Sequence, residues 1–125
     1  YKMYMNSIQA QIILNNFKFF HKKMRVLNSL VTTYNSELGY NNTSHHLYRI
    51  EVVHNKTFIE KMEKSGIVCG IHYPPLHLNS IYNGGRKFDC PKSKKLDHRT
   101  VSLPMNEKLS FYELEYIIDE VKELI

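Results

Sequence analysis

The sequence has no long hydrophobic run and only two cysteines, and each shortage excludes a class of protein. No segment approaches the roughly 20 consecutive apolar residues of a membrane-spanning helix, and the first residues lack the basic-then-apolar layout of a secretory signal. Cys69 and Cys90 lie far apart and form no CxxC pair, which argues against a disulfide framework and a structural zinc site. We therefore expect a cytoplasmic protein with free thiols and no membrane partner.

Standard metal-ligand spacing is absent as well. His45 and His46 are direct neighbours, and His72 and His77 stand on either side of two prolines. Neither arrangement matches a known pattern of metal ligands. We therefore predict no metal site.

The composition is basic, with a net charge of +5 over 125 residues. A chain of this length can form one compact core but not two domains of ordinary size. The positive charge permits an anionic partner, such as nucleic acid, acidic lipid or a phosphate-bearing metabolite, without choosing among them. Because clustered exposed cations usually form a solvated surface, a small nucleic-acid-binding module is an alternative but not the favoured one.

Apolar residues recur at alternating spacings of four and three across the first third of the chain. They are Ile13, Phe17, Phe20, Met24, Leu27, Val31, Tyr34 and Leu38. This spacing predicts one long amphipathic helix that Gly39 ends. Such a helix is about 40 Å long, more than a domain of this size needs for itself. We expect its apolar face to pack against something larger, since Phe, Met and Tyr suit irregular packing better than a homodimeric coiled coil.

The middle of the chain reads as a strand, a helix and a second strand. Residues 47–53 are rich in aromatic and β-branched side chains and predict the first strand. Asn55 can cap the helix that follows, Gly66 can end it, and residues 67–73 predict the second strand. On the first strand, one face carries Tyr48, Ile50 and Val52.

The last third begins with an irregular stretch over residues 74–89. Pro91 is placed to start a short helix, and residues 101–104 predict a brief strand ended by proline. Ser110 and Glu113 have the spacing of a capping box at the start of a final amphipathic helix.

Together these elements predict an α+β fold in which a long N-terminal helix leads into a small sheet with helices on one face. We assign residues 1–40 to an interdomain helix and residues 41–125 to a C-terminal small domain. The sequence begins at Tyr1 rather than at methionine. With the long helix, this leads us to expect a piece of a longer protein.

Three segments, in order, resemble one enzyme family. Residues 5–12 (MNSIQAQI) are similar to its "RMNELQAAI" segment, and residues 65–77 (SGIVCGIHYPPLH) to its "GIxxxVHYxPLH" segment. Residues 101–118, with VSLP at the start and ELEYII at the end, resemble its "SLPLxxxLTxEEVxYVI" ending. Each segment alone is weak, but their order and spacing identify the DegT/DnrJ/EryC1/StrS family of pyridoxal phosphate (PLP)-dependent sugar aminotransferases.

This resemblance implies the C-terminal small domain of a fold-type-I transferase. The complete enzyme would use PLP, take its amino group from glutamate and transfer it to a keto-sugar nucleotide, as a homodimer with shared active sites. In the family the Schiff-base lysine lies upstream of the matching region. No lysine of this chain is therefore proposed as catalytic, and we expect the chain to be inert in isolation.

The resemblance also implies site residues. His72 and Tyr73 would face the sugar-binding cleft, although a packed aromatic and a hydrogen-bonded structural histidine are the alternative interpretation. The family usually has an Asn and an Arg before the long helix, where this sequence has Lys2 and Tyr4. Lys2 can contact the cofactor phosphate as a point charge, whereas Tyr4, on the substrate side, lacks the bidentate fork of Arg. A degenerate, non-catalytic remnant is therefore a further alternative.

Overall fold

A computed structural model describes residues 4–125, except the side chain of Asn83. The chain forms helices α1 (Ser7–Phe17), α2 (Phe20–Leu38), α3 (Asn55–Lys64), α4 (Ser80–Asn83), α5 (Pro91–Asp97) and α6 (Phe111–Leu124), a 3₁₀ helix at Leu76–Leu78, and strands β1 (Tyr48–Glu51) and β2 (Thr100–Leu103). The predicted α+β class is confirmed. Within this described part, no helix combines the length and apolarity needed to cross a membrane.

The sheet is a pair of antiparallel strands. β1 and β2 lie side by side with Tyr48 opposite Leu103 and Arg49 opposite Ser102. Both strands were expected, but the strand predicted over residues 67–73 is reduced to a single bridge at Gly70. The two prolines that follow this segment have no N–H group to donate, so they cannot extend a ladder. The predicted strand–helix–strand unit is therefore wrong, since β1 pairs with a strand about fifty residues further along the chain.

The core lies between the inward face of this sheet and three helices. Tyr48 and Ile50 point inward, while Arg49 and Glu51 between them point outward, as the period of two requires. The rings of Tyr34 on α2 and Tyr48 stack with centroids 4.5 Å apart. Helices α2, α3 and α6 complete the core with Leu30, Val31, Tyr34, Phe58, Met62, Leu114, Ile117, Ile118 and Val121.

The predicted single N-terminal helix is divided into α1 and α2 by a turn at Lys18 and Phe19. The Phe19 N–H donates to the Asn16 carbonyl, only three residues back, at 3.1 Å. The Asn16 side chain donates to the Ile12 carbonyl at 2.9 Å. Asn side chains compete in this way for backbone groups that would otherwise continue a helix. The apolar stripe is therefore divided between two helices.

Asn55 does not cap α3 as expected. His54 stands at the capping position, and Asn55 is the buried first residue of the helix. Its side-chain amide donates to the Asp97 carbonyl at 2.7 Å and lies 3.4 Å from that of Thr100. Asn55 thus ties α3 to α5 and β2, a role that depends on residues more than forty positions away.

The predicted ends of helices are confirmed at both glycines. Gly39 follows α2 with φ 71°, and Gly66 follows α3 with φ 75°. Beyond α3 the Gly66 and Ile67 N–H groups donate to the Glu63 and Met62 carbonyls, each at 2.9 Å. This pair of bonds is a Schellman motif, in which glycine favours the left-handed conformation because it has no Cβ.

The capping box of α6 forms as predicted. The Ser110 hydroxyl accepts from the Glu113 N–H at 3.3 Å, and the Glu113 carboxylate accepts from the Ser110 N–H at 2.7 Å. From there Leu114, Ile117, Ile118 and Val121 all point into the core. The last helix was therefore predicted correctly from its cap to its buried face.

Candidate functional site

A cleft of about 190 Å³ lies on the outer face of the sheet. Arg49 of β1 and Thr100 of β2 reach it because the residues that alternate with them point into the core. The segment after α3 and helix α5 supply the remaining walls. The full lining is Arg49, Ile71, His72, Tyr73, Pro75, Ser93, Leu96, Asp97 and Thr100.

His72 and Tyr73, two of the three residues expected to bind substrate, both line this cleft. Their rings meet edge to face with centroids 5.3 Å apart. Tyr73 is 72% exposed, so it is not a packed core aromatic in this chain. His72 is half-buried, and its Nδ1 atom is buried without a hydrogen-bond partner among the described residues. The substrate role of both residues stays a prediction.

Both positively and negatively charged side chains line the cleft. Arg49 is exposed and has no ion-pair partner within the part of the chain that the structure describes. Asp97 contributes a carboxylate, and its Oδ2 lies 3.9 Å from Nδ1 of His98. Apolar side chains of Ile71 and Leu96 also line the cleft. A concave site with apolar walls and a few converging polar groups can orient a polar ligand such as a sugar.

Tyr4, another predicted site residue, does not line this cleft. Tyr4 is 83% exposed and lines a separate cleft of about 560 Å³ with Met5, Gln9, Ile12 and Ile13. Lys2 lies outside the described residues. Among the described residues, Tyr4 therefore lines a different cleft from His72 and Tyr73.

The cysteines and histidines do not form a reactive centre within this cleft. Burial raises the pKa of the Cys69 thiol to about 11, so the group is a protonated thiol at neutral pH and a poor nucleophile. Among residues 4–125 there is no group of three or more His, Cys, Asp or Glu side chains arranged to hold a metal ion.

Sequence reasoning missed Arg49, Ser93 and Thr100 as lining residues. A signal existed for Arg49, because the predicted strand placed Tyr48 and Ile50 on one face and therefore Arg49 on the other. The sequence did not indicate that this other face would meet His72. That depends on the folding of residues 66–73 against β2.

Comparison with known proteins agrees with the fold. The sequence model of the DegT/DnrJ/EryC1/StrS aminotransferase family matches residues 1–122. MJ1066 of Methanocaldococcus jannaschii is 25% identical, and the alignment covers the whole of this chain and 38% of that protein.

Two solved structures are similar throughout the chain. Spr1654 of Streptococcus pneumoniae, assigned as a sugar aminotransferase and solved in its PMP form, is 26% identical with a TM-score of 0.90, covering 99% of this chain and 36% of that one. A DegT/DnrJ/EryC1/StrS aminotransferase from Brucella abortus is 25% identical with a TM-score of 0.83, covering 95% of this chain and 35% of that one. This chain thus spans little more than a third of the length of these relatives, and it belongs to the DegT/DnrJ/EryC1/StrS aminotransferase family.

Proposed function

We propose that this chain is the C-terminal part of a PLP-dependent aminotransferase that transfers an amino group from glutamate to a keto-sugar nucleotide. The observation that carries the proposal is the match of the family model to residues 1–122, together with the fold shared with Spr1654. Spr1654 has been solved in PLP and PMP forms, which supports PLP as the cofactor of the complete enzyme. A cytoplasmic location accords with this activity.

We expect no covalent cofactor site in this part of the chain. Every lysine among residues 4–125 is exposed. A lysine that forms a Schiff base must lose its proton, and enclosure away from water is a common way to achieve this. The lysine that binds PLP would therefore come from outside this part of the chain. PLP, when bound there, would supply the electron sink for the reaction.

The residues of this chain would bind and orient the sugar nucleotide. Arg49, His72 and Tyr73 offer a guanidinium, an imidazole and a phenol around one cleft, and these groups can hydrogen-bond to hydroxyl or phosphate oxygens. Holding the substrate in one orientation lowers the activation barrier, because its translational and rotational freedom is already lost on binding and not in the reaction step.

The N-terminal helices would attach this domain to the cofactor-holding one. In α1 no residue is buried, and a row of large apolar side chains is exposed: Ile8, Ile12, Ile13, Leu14 and Phe17. An exposed apolar surface of this extent marks an interaction site. This supports residues 1–40 as an interdomain helical segment and residues 41–125 as the small domain, with Lys2 and Tyr4 reaching the partner subunit of a homodimer.

The test is amination by the complete protein. We expect PLP absorbance and glutamate-dependent amination of a 4-keto-6-deoxy sugar nucleotide, with neither property in the 125-residue chain alone. Tyr73→Phe should raise KM several-fold if its hydroxyl contacts substrate. Tyr112→Phe, at an exposed tyrosine of α6 outside the cleft, should not. A complete protein that neither binds PLP nor aminates would defeat the proposal.

The second candidate is a non-catalytic remnant that serves as a dimerisation partner. It is motivated by Lys2 and Tyr4 in place of the Asn and Arg usual in the family. Changing Lys2→Asn and Tyr4→Arg together in the complete protein should restore activity if only these positions are defective. An inactive protein that stays inactive after this double change would favour the remnant.

A further inference from the structure

Gly70 is the point at which the segment after α3 joins the sheet. Its N–H donates to the Ser102 carbonyl at 3.0 Å, and its carbonyl accepts from the Ser102 N–H at 2.8 Å. Unlike Gly39 and Gly66, Gly70 does not have a positive φ. The backbone conformation at this position is therefore open to any residue, and another reason must be found for the glycine.

The reason lies in the His72 side chain. A Cβ atom at Gly70 would stand 2.6 Å from Cε1 of His72, and 3.3 and 3.4 Å from its Nδ1 and Nε2. A carbon–carbon approach of 2.6 Å is far inside the normal contact distance of about 3.5–4.0 Å. The imidazole thus rests directly on the backbone of Gly70, in the space that any other side chain would fill.

The surroundings identify the face on which the ring lies. Directly paired residues of adjacent strands point to the same face, so the bare position at Gly70, the Ser102 hydroxyl and Arg49 lie in one row on the outer face of the sheet. Ser102 is only 3% exposed even though it faces outward. Its Oγ and the His72 Nδ1 are both buried without a hydrogen-bond partner among the described residues. Arg49, at one end of this row, lines the same cleft as His72.

We propose that Gly70 is a positioning residue: its missing side chain seats the His72 imidazole against the sheet and so directs it into the cleft. This inference rests on the proposed function only in that the cleft takes the sugar substrate. The contact between the His72 ring and the bare backbone of Gly70, which we call the seat, is a property of this chain and can be tested without turnover.

A double-mutant cycle on the complete protein tests the seat. Gly70→Ala should shift the His72 ring resonances in histidine-labelled NMR spectra, which His72→Ala identifies by their loss, and should lower the unfolding midpoint. In the His72→Ala background the same change should cost nothing, because the ring atoms that the new Cβ meets are gone. An equal loss in both backgrounds, or unchanged His72 resonances, would overturn the proposal. If Gly70→Ala does not fold, folding of the double variant supports the seat, and its failure to fold contradicts it.

Kinetics then separate the seat from the proposed function. His72→Ala should raise the KM for the sugar nucleotide about tenfold, the effect of one lost hydrogen bond to a charged or strongly polar group. Gly70→Ala should raise KM in the same direction and add nothing to His72→Ala. If His72→Ala leaves KM and kcat unchanged, the substrate role of the cleft is wrong, while the cycle still decides the seat. If His72→Ala raises KM and Gly70→Ala does not, the positioning role is wrong.

Discussion

The same apolar stripe has two different fates in this chain. Along the second half of α2 it enters the core, where Leu30, Val31 and Tyr34 are buried. Along α1 the spacing is just as regular, yet Ile13 and Phe17 are 53% and 60% exposed. Regular apolar spacing therefore shows that one face of a helix is suited to burial. Which segment buries that face depends on the other segments present.

Matched isoleucines on the two regions provide the sharpest contrast. Ile117 on α6 is 4% exposed, whereas Ile13 on α1 is 53% exposed. We expect Ile117→Ala to lower the free energy of unfolding of the 125-residue chain by about 3 kcal/mol, since it removes packed methyl groups and leaves a cavity. Ile13→Ala should change it by less than about 0.5 kcal/mol.

Urea unfolding followed by circular dichroism measures both variants. Equal losses would show that α1 packs on the core and that the contrast between the regions is wrong. In the complete protein the loss from Ile13→Ala should grow, because the proposed cofactor-holding domain would bury this face.

As the pH rises into the alkaline range, the core region should lose stability before the α1 region does. Burial raises the pKa of Cys69 from 9.0 to about 11 and also raises that of Tyr34 above its ordinary 10.0. The folded state thus favours the neutral forms, so this stability is complete below pH 9 and is lost as the pH rises towards 11 and beyond. For the partly exposed Cys69 the loss should be about 1–2 kcal/mol.

The measurement is the free energy of unfolding between pH 8 and pH 11. Cys69→Ala should flatten the early part of the decline and leave the later part, which comes from Tyr34 and Tyr48, because burial raises the pKa of both phenols. A variant that declines as steeply as the parent chain would show that the thiol is accessible to water.

The capping boxes of α1 and α6 allow the two regions to be compared one helix at a time. Ser110 caps α6 and Asn6 caps α1, where its Oδ1 accepts from the Gln9 N–H at 2.9 Å. Ser110→Ala should lower the free energy of unfolding by about 1 kcal/mol because α6 is part of the core. Asn6→Ala should reduce only the helical signal of α1 and leave the unfolding midpoint unchanged. A shift of the midpoint by Asn6→Ala would indicate that α1 unfolds together with the core.

The smallest effect concerns the turn between the regions. Asn16→Ala removes the side-chain bond to the Ile12 carbonyl and adds about 0.5 kcal/mol of helix propensity. We expect α1 and α2 to approach one continuous helix, with a gain in ellipticity at 222 nm. Asn15→Ala is the control: it gains the same propensity without touching that carbonyl, and it loses only the 3.2 Å hydrogen bond that the Gln11 side-chain amide donates to Asn15. Equal gains from both variants would mean that the Asn16 bond does not cause the turn.

Several local features could be predicted from the sequence. The stops at Gly39 and Gly66, the Ser110 capping box and the inward face of β1 depend on residues within a few positions of one another. The family resemblance, confirmed over residues 1–122, likewise rests on segments that can be read directly.

Features that depend on distant partners were predicted less well. Asn55 binds Asp97 rather than capping α3, and residues 67–73 make one bridge instead of a strand. Arg49 reaches the His72 cleft only because β1, β2 and α5 come together there. None of these pairings leaves a periodic signal in the sequence, since each joins residues that are tens of positions apart.

The sequence by itself determined that Gly39 and Gly66 end helices and which side chains of β1 turn inward, because caps, glycine conformations and periodicity act over one or two turns of backbone. The order and spacing of three short segments determined which family the chain resembles. The tertiary structure decided which face of each element is covered and placed the His72 ring on the bare backbone of Gly70. Packing alone settles such contacts, since a side chain can occupy only the space that its distant neighbours leave.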